Sequence, residues 1–241
     1  MKKTVIALST LACLSSFANA QNSGFYLGGQ LGDSIFKVSN IKDTYHDLED
    51  GERGHDKFGS INKSKFSGAL NLGYNFKSAF NIPVRAEVSF TLRGDSNKTK
   101  HERNDDEFDG TYNGIDKTKA KMNTLMFNGY YDIDTKTSFT PFVGAGLGVA
   151  FTKLKREWRG YMDDDKDDVY GDSFSKSKTK FTWSLAAGVG YKITDNLDFD
   201  FTARYLDAGK VTIQTRKDDL KIKSTAKFTS VDLLAGIRYT F

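Results

Sequence analysis

Apolar residues recur at every second position along much of this chain. Such alternation marks strands that turn one face toward an apolar surrounding. Val231, Leu233, Ala235, Ile237, Tyr239 and Phe241 share a face, opposite Asp232, Leu234, Gly236, Arg238 and Thr240. Ile82, Val84, Ala86, Val88, Phe90 and Leu92 likewise stand opposite Arg85, Glu87, Ser89, Thr91 and Arg93. Phe181, Trp183, Leu185, Ala187, Val189 and Tyr191 form a third such face, and Leu197, Phe199, Phe201, Ala203 and Tyr205 a fourth. Shorter versions are Phe25-Leu27-Leu31, Phe66-Leu70-Leu72-Tyr74, Leu125-Phe127-Tyr131 and Val143-Ala145-Leu147-Val149. Eight strands are predicted, at residues 24–38, 62–77, 81–93, 119–134, 138–154, 179–193, 196–210 and 223–241.

The connections between these segments alternate in length. Residues 77–80, 134–137 and 194–196 read as tight turns, whereas 39–61, 94–118, 155–178 and 211–222 are long and charged. Only helices and closed barrels satisfy every backbone group in hydrocarbon. The predicted fold is therefore all-β: an eight-stranded antiparallel transmembrane β-barrel with short periplasmic turns and four long extracellular loops. A soluble sandwich or lipocalin-like barrel would turn the aromatic faces inward. It would leave Arg85, Glu87, Asp200 and Arg204 outside beside glycines, and nothing in it would impose the strict alternation of loop lengths. Phe25, Tyr74, Phe76, Tyr131, Phe139, Tyr191, Phe199 and Tyr239 lie near predicted strand ends, where interfacial aromatic girdles belong.

Residues 1–20 have the three parts of a secretory signal: Lys2 and Lys3, an apolar stretch from Val5 to Leu14, and small residues at Ala18-Asn19-Ala20. Cleavage there leaves residues 21–241 as the barrel and lowers the formal charge from +4 to +2. The apolar stretch is shorter than the roughly 20 residues a membrane-spanning helix needs. Cys13 is the one cysteine, so the mature chain is expected to have no disulfide, cysteine metal site or cysteine nucleophile. The 22 glycines, 19 phenylalanines and 11 tyrosines suit aromatic-rich strands. A mean hydropathy of −0.51 excludes a helical membrane protein but not a barrel, whose strands are apolar on one face only. Acids and bases are interleaved and nearly balanced, which gives no reason to expect nucleic acid as a partner.

The inward faces carry Lys65, Arg85, Glu87, Asp132, Asp200, Arg204, Asp232 and Arg238. An eight-stranded barrel is just wide enough for side chains to fill it. Arg85, Glu87, Asp200, Arg204, Asp232 and Arg238 are therefore expected to pair as a polar network that closes the lumen, with a proton or ion path as the alternative. Gly144, Gly146, Gly148, Gly188 and Gly190 on the same face would make room for long arginines opposite. His46, His55 and His101 fall in predicted loops, without a serine or acid at catalytic spacing, so no catalytic residue is expected. The acidic run Asp163-Asp164-Asp165-Lys166-Asp167-Asp168 begins like a calcium loop but lacks its glycine and closing glutamate. No metal or cofactor is expected. Tyr45, Phe58, Tyr112, Trp158 and Tyr161 stand in otherwise charged loop segments and are candidate anchors for a protein partner.

Several segments resemble the opacity-type family of small outer-membrane barrels. They are Ser23-Gly24-Phe25-Tyr26, the stretch Tyr130-Tyr131-Asp132-Ile133-Asp134 into Thr140-Pro141-Phe142-Val143-Gly144-Ala145-Gly146-Leu147-Gly148, then Ala203-Arg204-Tyr205-Leu206-Asp207-Ala208-Gly209, and Ala235-Gly236-Ile237-Arg238-Tyr239-Thr240-Phe241. The last is similar to the signal read by the barrel-assembly machinery, with Gly236, Tyr239 and Phe241 matching and Leu234 replacing the usual polar residue. The resemblance covers the strands and not the loops. It implies the fold, a place in outer-membrane lipid of a Gram-negative cell, and, by analogy, adhesion to a host or environmental surface ligand. A structural or small-solute barrel without a defined ligand is the alternative, and an outer-membrane lipid-modifying enzyme a third.

Overall fold

The computed structural model of the chain describes residues 24–47, 53–58, 60–106, 110–162, 165–217 and 220–241. The expected signal at 1–20 lies outside the described residues. Ten strands follow in order: β1 (Phe25–Asp47), β2 (Arg53–Phe58), β3 (Ile61–Asn75), β4 (Val84–Arg93), β5 (Ser96–Asp106), β6 (Gly110–Asp132), β7 (Phe139–Met162), β8 (Asp165–Lys192), β9 (Leu197–Lys217) and β10 (Leu220–Thr240). A five-residue helix, α1 (Phe76–Phe80), lies between β3 and β4. The barrel wall runs β1-β3-β4-β6-β7-β8-β9-β10, every neighbour antiparallel. β10 returns to β1 through pairs from Tyr26↔Thr240 onward, so the lower wall has no free edge.

The alternation read from the sequence sets the two faces of this wall. The outward large apolar side chains, among them Leu31, Phe66, Leu70, Phe127, Phe181 and Ile237, are 38–67 % exposed in the isolated molecule. A soluble chain rarely shows so continuous an apolar surface, and here it encircles the wall. Aromatic rings ring its short-turn end. Phe25 contacts Tyr74 at 4.8 Å, Tyr74 contacts Phe76 at 4.9 Å, Phe139 contacts Tyr191 at 5.0 Å, and Tyr239 contacts Phe241 at 5.2 Å.

The first connection is not a tight turn but α1. Asn75 caps its start, accepting from the Lys77 N–H at 2.9 Å, and Asn81 ends it in the left-handed region at φ 55°. The second connection is tied to the first by Lys77 Nζ and Asp134 Oδ2 at 3.0 Å. The backbone N–H of Lys136, and then the Lys77 ammonium, hold the Asp134 carboxyl below the usual carboxylate range.

The larger correction concerns the four segments read as loops. Most of their described residues are strand. β7 and β8 have 24 and 28 residues, where a membrane crossing takes about 9–11. Their pairing continues to Met162↔Asp165, and that of β1 with β10 to Asp47↔Leu220. Charged residues take both parities there, as at Lys155-Arg156-Glu157, so the period-2 signal fades. The ladder still satisfies the backbone, which is what favours strand over irregular loop.

Above the lipid band the wall divides. Among the described residues, β8 and β9 pair no further than Trp183↔Asp207. At that level β9 carries a bulge. Gly209 adopts φ 69°, its N–H donates to Asp207 Oδ1 at 2.7 Å, and the register against β10 shifts between Lys227 and Thr229. A bulge bends the strand that contains it. β9 leaves β8 there, and two sheets project: β9-β10-β1-β2 and β5-β6-β7-β8.

Candidate functional site

The lumen is packed in layers. At the short-turn end Arg85 Nε donates to Asp132 at 2.8 and 3.0 Å, and Arg238 donates to Asp200 at 2.9 and 3.2 Å. Arg238 also meets Asp198 at 3.2 Å. Between these pairs lies Tyr26, with the guanidinium carbons 5.9 and 5.5 Å from its ring centre, and Arg85 is 4.8 Å from the Phe142 ring centre.

The next layer centres on Glu87. Tyr26 Oη donates to it at 3.1 Å and Tyr130 Oη at 3.3 Å. Arg204 Nη2 in turn donates to Tyr130 Oη at 3.2 Å, so a phenol relays between a fully buried cation and a buried anion. Higher still, Arg93 Nη2 meets Asp232 Oδ2 at 2.5 Å, with Ser34 accepting from Arg93 at 3.2 Å and Ser230 donating to Asp232 at 2.7 Å. An apolar cluster of Phe36, Val38, Met122, Met126, Ala150, Leu206, Ala208 and Phe228 borders this layer; Phe36 and Phe228 lie above Ser34 and Asp232 on their strands, with rings 5.7 Å apart, whereas the Met122 carbonyl accepts from Arg93.

Of the six lumen residues named from sequence, Asp200 and Arg238 pair with each other. The other four find partners outside that set: Asp132 for Arg85, tyrosines for Glu87 and Arg204, and Arg93 for Asp232. The glycines also serve another purpose than expected. A methyl added at Gly144 would overlap the Tyr130 ring, one at Gly188 the Phe142 ring, one at Gly148 the Met126 sulfur, and one at Gly146 the Asn128 amide. Only Gly190 borders an arginine, Arg238, and there Asp200 lies closer still. The inward aromatics Tyr26, Tyr130 and Phe142 were the missed residues. Their signal was parity, since each stands opposite the lipid-facing residues of its own strand.

The candidate anchors lie along the projecting ribbons. Tyr45 stands opposite Ile222 and Gly54, Phe58 opposite Ile41, Tyr112 opposite Met162, Trp158 opposite Asp116 and Asp172, and Tyr161 opposite Asn113. Their side chains lie outside the described residues, as do those of His46, His55 and His101. Asp163 and Asp164 of the acidic run also lie outside, and the rest of the run begins β8. In the expected assembly signal, Gly236 packs against the backbone of Gly29 and Gln30, Tyr239 faces outward, and the Phe241 N–H donates to Phe25 O at 2.9 Å.

Comparison with known proteins bears on this architecture. Outer membrane protein PagN of Salmonella typhimurium (strain LT2) is 30 % identical over 243 residues, covering 98 % of both chains. A candidate adhesin of Rickettsia prowazekii (strain Madrid E) is 24 % identical over 99 % of both. Among solved structures, neisserial surface protein A superposes with a TM-score of 0.52 at 20 % identity, over 91 % of this chain and 98 % of that one, a likeness of fold. The outer membrane protein beta-barrel domain family matches residues 4–241, and with the PagN likeness this establishes that the chain belongs to that family of outer-membrane barrels.

Proposed function

We propose that this protein is a non-enzymatic surface adhesin. The barrel anchors it, and the projecting ribbons engage a host or environmental ligand. The observation that carries the reading is the extension of β1, β6, β7, β8, β9 and β10 well past the lipid band as two separate sheets. A barrel that served only the membrane would have no use for hairpin arms of 24 and 28 residues where about 9–11 make a crossing. The candidate adhesins among the relatives agree with it. The packed lumen argues against solute passage, since its carboxylates are held by arginines and tyrosines.

Binding is assigned to the ribbons because the outward strand faces meet lipid and the inward faces meet each other. Trp158 is the first residue to test. A large aromatic with Arg156 and Arg159 nearby in sequence can bury area while the cations steer an acidic partner. Replacing residues 155–178 with a short turn is expected to leave a folded, heat-modifiable barrel whose cells lose most of their binding to host surfaces. Undiminished binding by barrels stripped of all four ribbons would refute the reading.

A further inference from the structure

We propose that the outer rim of β6, β7 and β8 holds the phosphorylated headgroup of a glycolipid in the outer leaflet. The inference rests on the outer-membrane barrel and is independent of what the ribbons bind.

On β6 and β7 the odd-numbered residues face outward: Leu125, Phe127, Leu147 and Phe151 are all exposed there. Followed upward, the same face leaves the apolar band and meets a run of lysines. They are Lys121 and Lys119 on β6, and Lys153 and Lys155 on β7. The register sets Lys121 across from Lys153, and Lys119 across from Lys155. Like charges opposed across neighbouring strands repel, and an anion seated between them removes the penalty. At comparable height the outward face of β8 offers Thr179, Ser177 and Ser175, and that of β1 Lys37. A second opposed lysine pair, Lys227 and Lys210 across β10 and β9, differs in that Lys227 is already bound to Asp207 at 2.9 Å.

The second observation is a cavity of about 270 Å³ on this outer surface, lined by Lys121, Asn123, Phe151, Lys153, Ser177 and Thr179 among others. Its chemistry is graded. Phe151 continues the lipid-facing band, two residues or about 7 Å below Lys153. Asn123, Ser177 and Thr179 supply hydrogen-bonding groups. Asn123 Oδ1 accepts from the Arg93 N–H at 3.3 Å, which leaves its amide nitrogen as the group with donors to offer. Lys121 and Lys153 belong to the same lining. An acylated, phosphorylated sugar matches this order: chain against Phe151, hydroxyls against the amide and hydroxyls, phosphate between Lys121 and Lys153. A soluble polyanion would not account for a site at lipid depth on the membrane-facing side. Asp95, 3.4 Å from Lys121 and half exposed with it, competes for the same cation.

The test uses the full barrel in detergent, with bound lipid counted by native mass spectrometry. The probes are bisphosphorylated lipid A, lipid A stripped of phosphate, phosphatidylglycerol and inorganic phosphate. The wild type is expected to retain bisphosphorylated lipid A. K121Q/K153Q should lose at least tenfold in affinity for it, with unchanged affinity for the stripped form and an unchanged heat-modifiable folded fraction. D95N should bind severalfold more tightly, and K37Q should match the wild type. Equal retention by K121Q/K153Q would overturn the proposal. So would phosphatidylglycerol or inorganic phosphate binding as tightly as lipid A, because the lysines would then be a general anionic contact. If the double variant does not fold, D95N decides: no gain in affinity also overturns it.

Discussion

A charge inside an eight-stranded barrel has little water to retreat into, so its partner decides whether it is tolerated. Asp232 is wholly buried and held by Arg93, Ser34 and Ser230. Arg93→Met keeps most of the side-chain volume but strands that carboxylate. It is expected to destabilise the barrel by about 3–5 kcal/mol, as for other buried pairs broken on one side. Adding Asp232→Leu should restore much of the loss, since an apolar pair needs no counterion. Urea unfolding of both variants in lipid vesicles checks this, and a double variant as unstable as Arg93→Met would show that the charge was not the cause. Strand parity alone placed Arg85, Glu87, Asp200, Arg204, Asp232 and Arg238 in the lumen. It could not say which touch, because contact across a barrel depends on height, and height follows from the register of strands far apart in sequence. Arg93 and Asp232 are 139 positions apart. The same limit hid the role of Gly144 and Gly188, whose space is filled by rings on adjacent strands.

At the scale of the element, the strands were legible where lipid presses on one face and not where polar residues take both parities. β4 is the clear case, alternating over its whole length with every outward residue from Val88 to Leu92 apolar. The upper halves of β7 and β8 carry Lys155, Glu157, Arg159, Ser173 and Ser175, a composition that reads as loop. What makes them strand is mutual pairing, which a single segment does not reveal. The ribbon has a definite register, with Lys155 opposite Ser175. Paired Cα atoms in an antiparallel ladder lie about 4.5–5.5 Å apart, within disulfide range. A K155C/S175C variant is therefore expected to cross-link within the chain under mild oxidation, seen as a shift on non-reducing gels after denaturation. K155C paired with S173C, one step out of register on the same face, should cross-link far more slowly. Equal rates for the two pairs would indicate a loop without fixed pairing.

For the whole molecule, the lumen layers and the ribbons divide the work. Four buried arginines, Arg85, Arg93, Arg204 and Arg238, face four of the five buried carboxylates among the described residues, Glu87, Asp132, Asp200 and Asp232; the fifth, Asp207 at the β9 bulge, meets the Lys227 ammonium at 2.9 Å, and Asp198 is partly exposed. Pairing on this scale leaves an ion few vacant counter-charges to follow; among the described residues Arg204 Nε and Nη1 are the buried charged donors left without a partner. The apolar cap of Phe36, Phe228 and their neighbours adds a barrier that water has no polar group to cross by. The lumen is thus filled both by charge pairing and by apolar packing, and the two can be tested separately. Wild-type protein in planar bilayers is expected to show no discrete conductance steps. Phe36→Ala with Phe228→Ala should loosen the cap and lower stability, since each deletion of a buried ring costs about 3–5 kcal/mol in other cores. It should still show no conductance, because the Arg93–Asp232 and Arg204–Tyr130–Glu87 layers remain beneath it. Stable steps in the wild type would contradict the closed lumen outright. Steps in the cap variant alone would mean that the charged layers leak and that the aromatic cap is the seal. Silence in both would leave the barrel as a solid anchor, with all contact to the outside made by the two sheets above it.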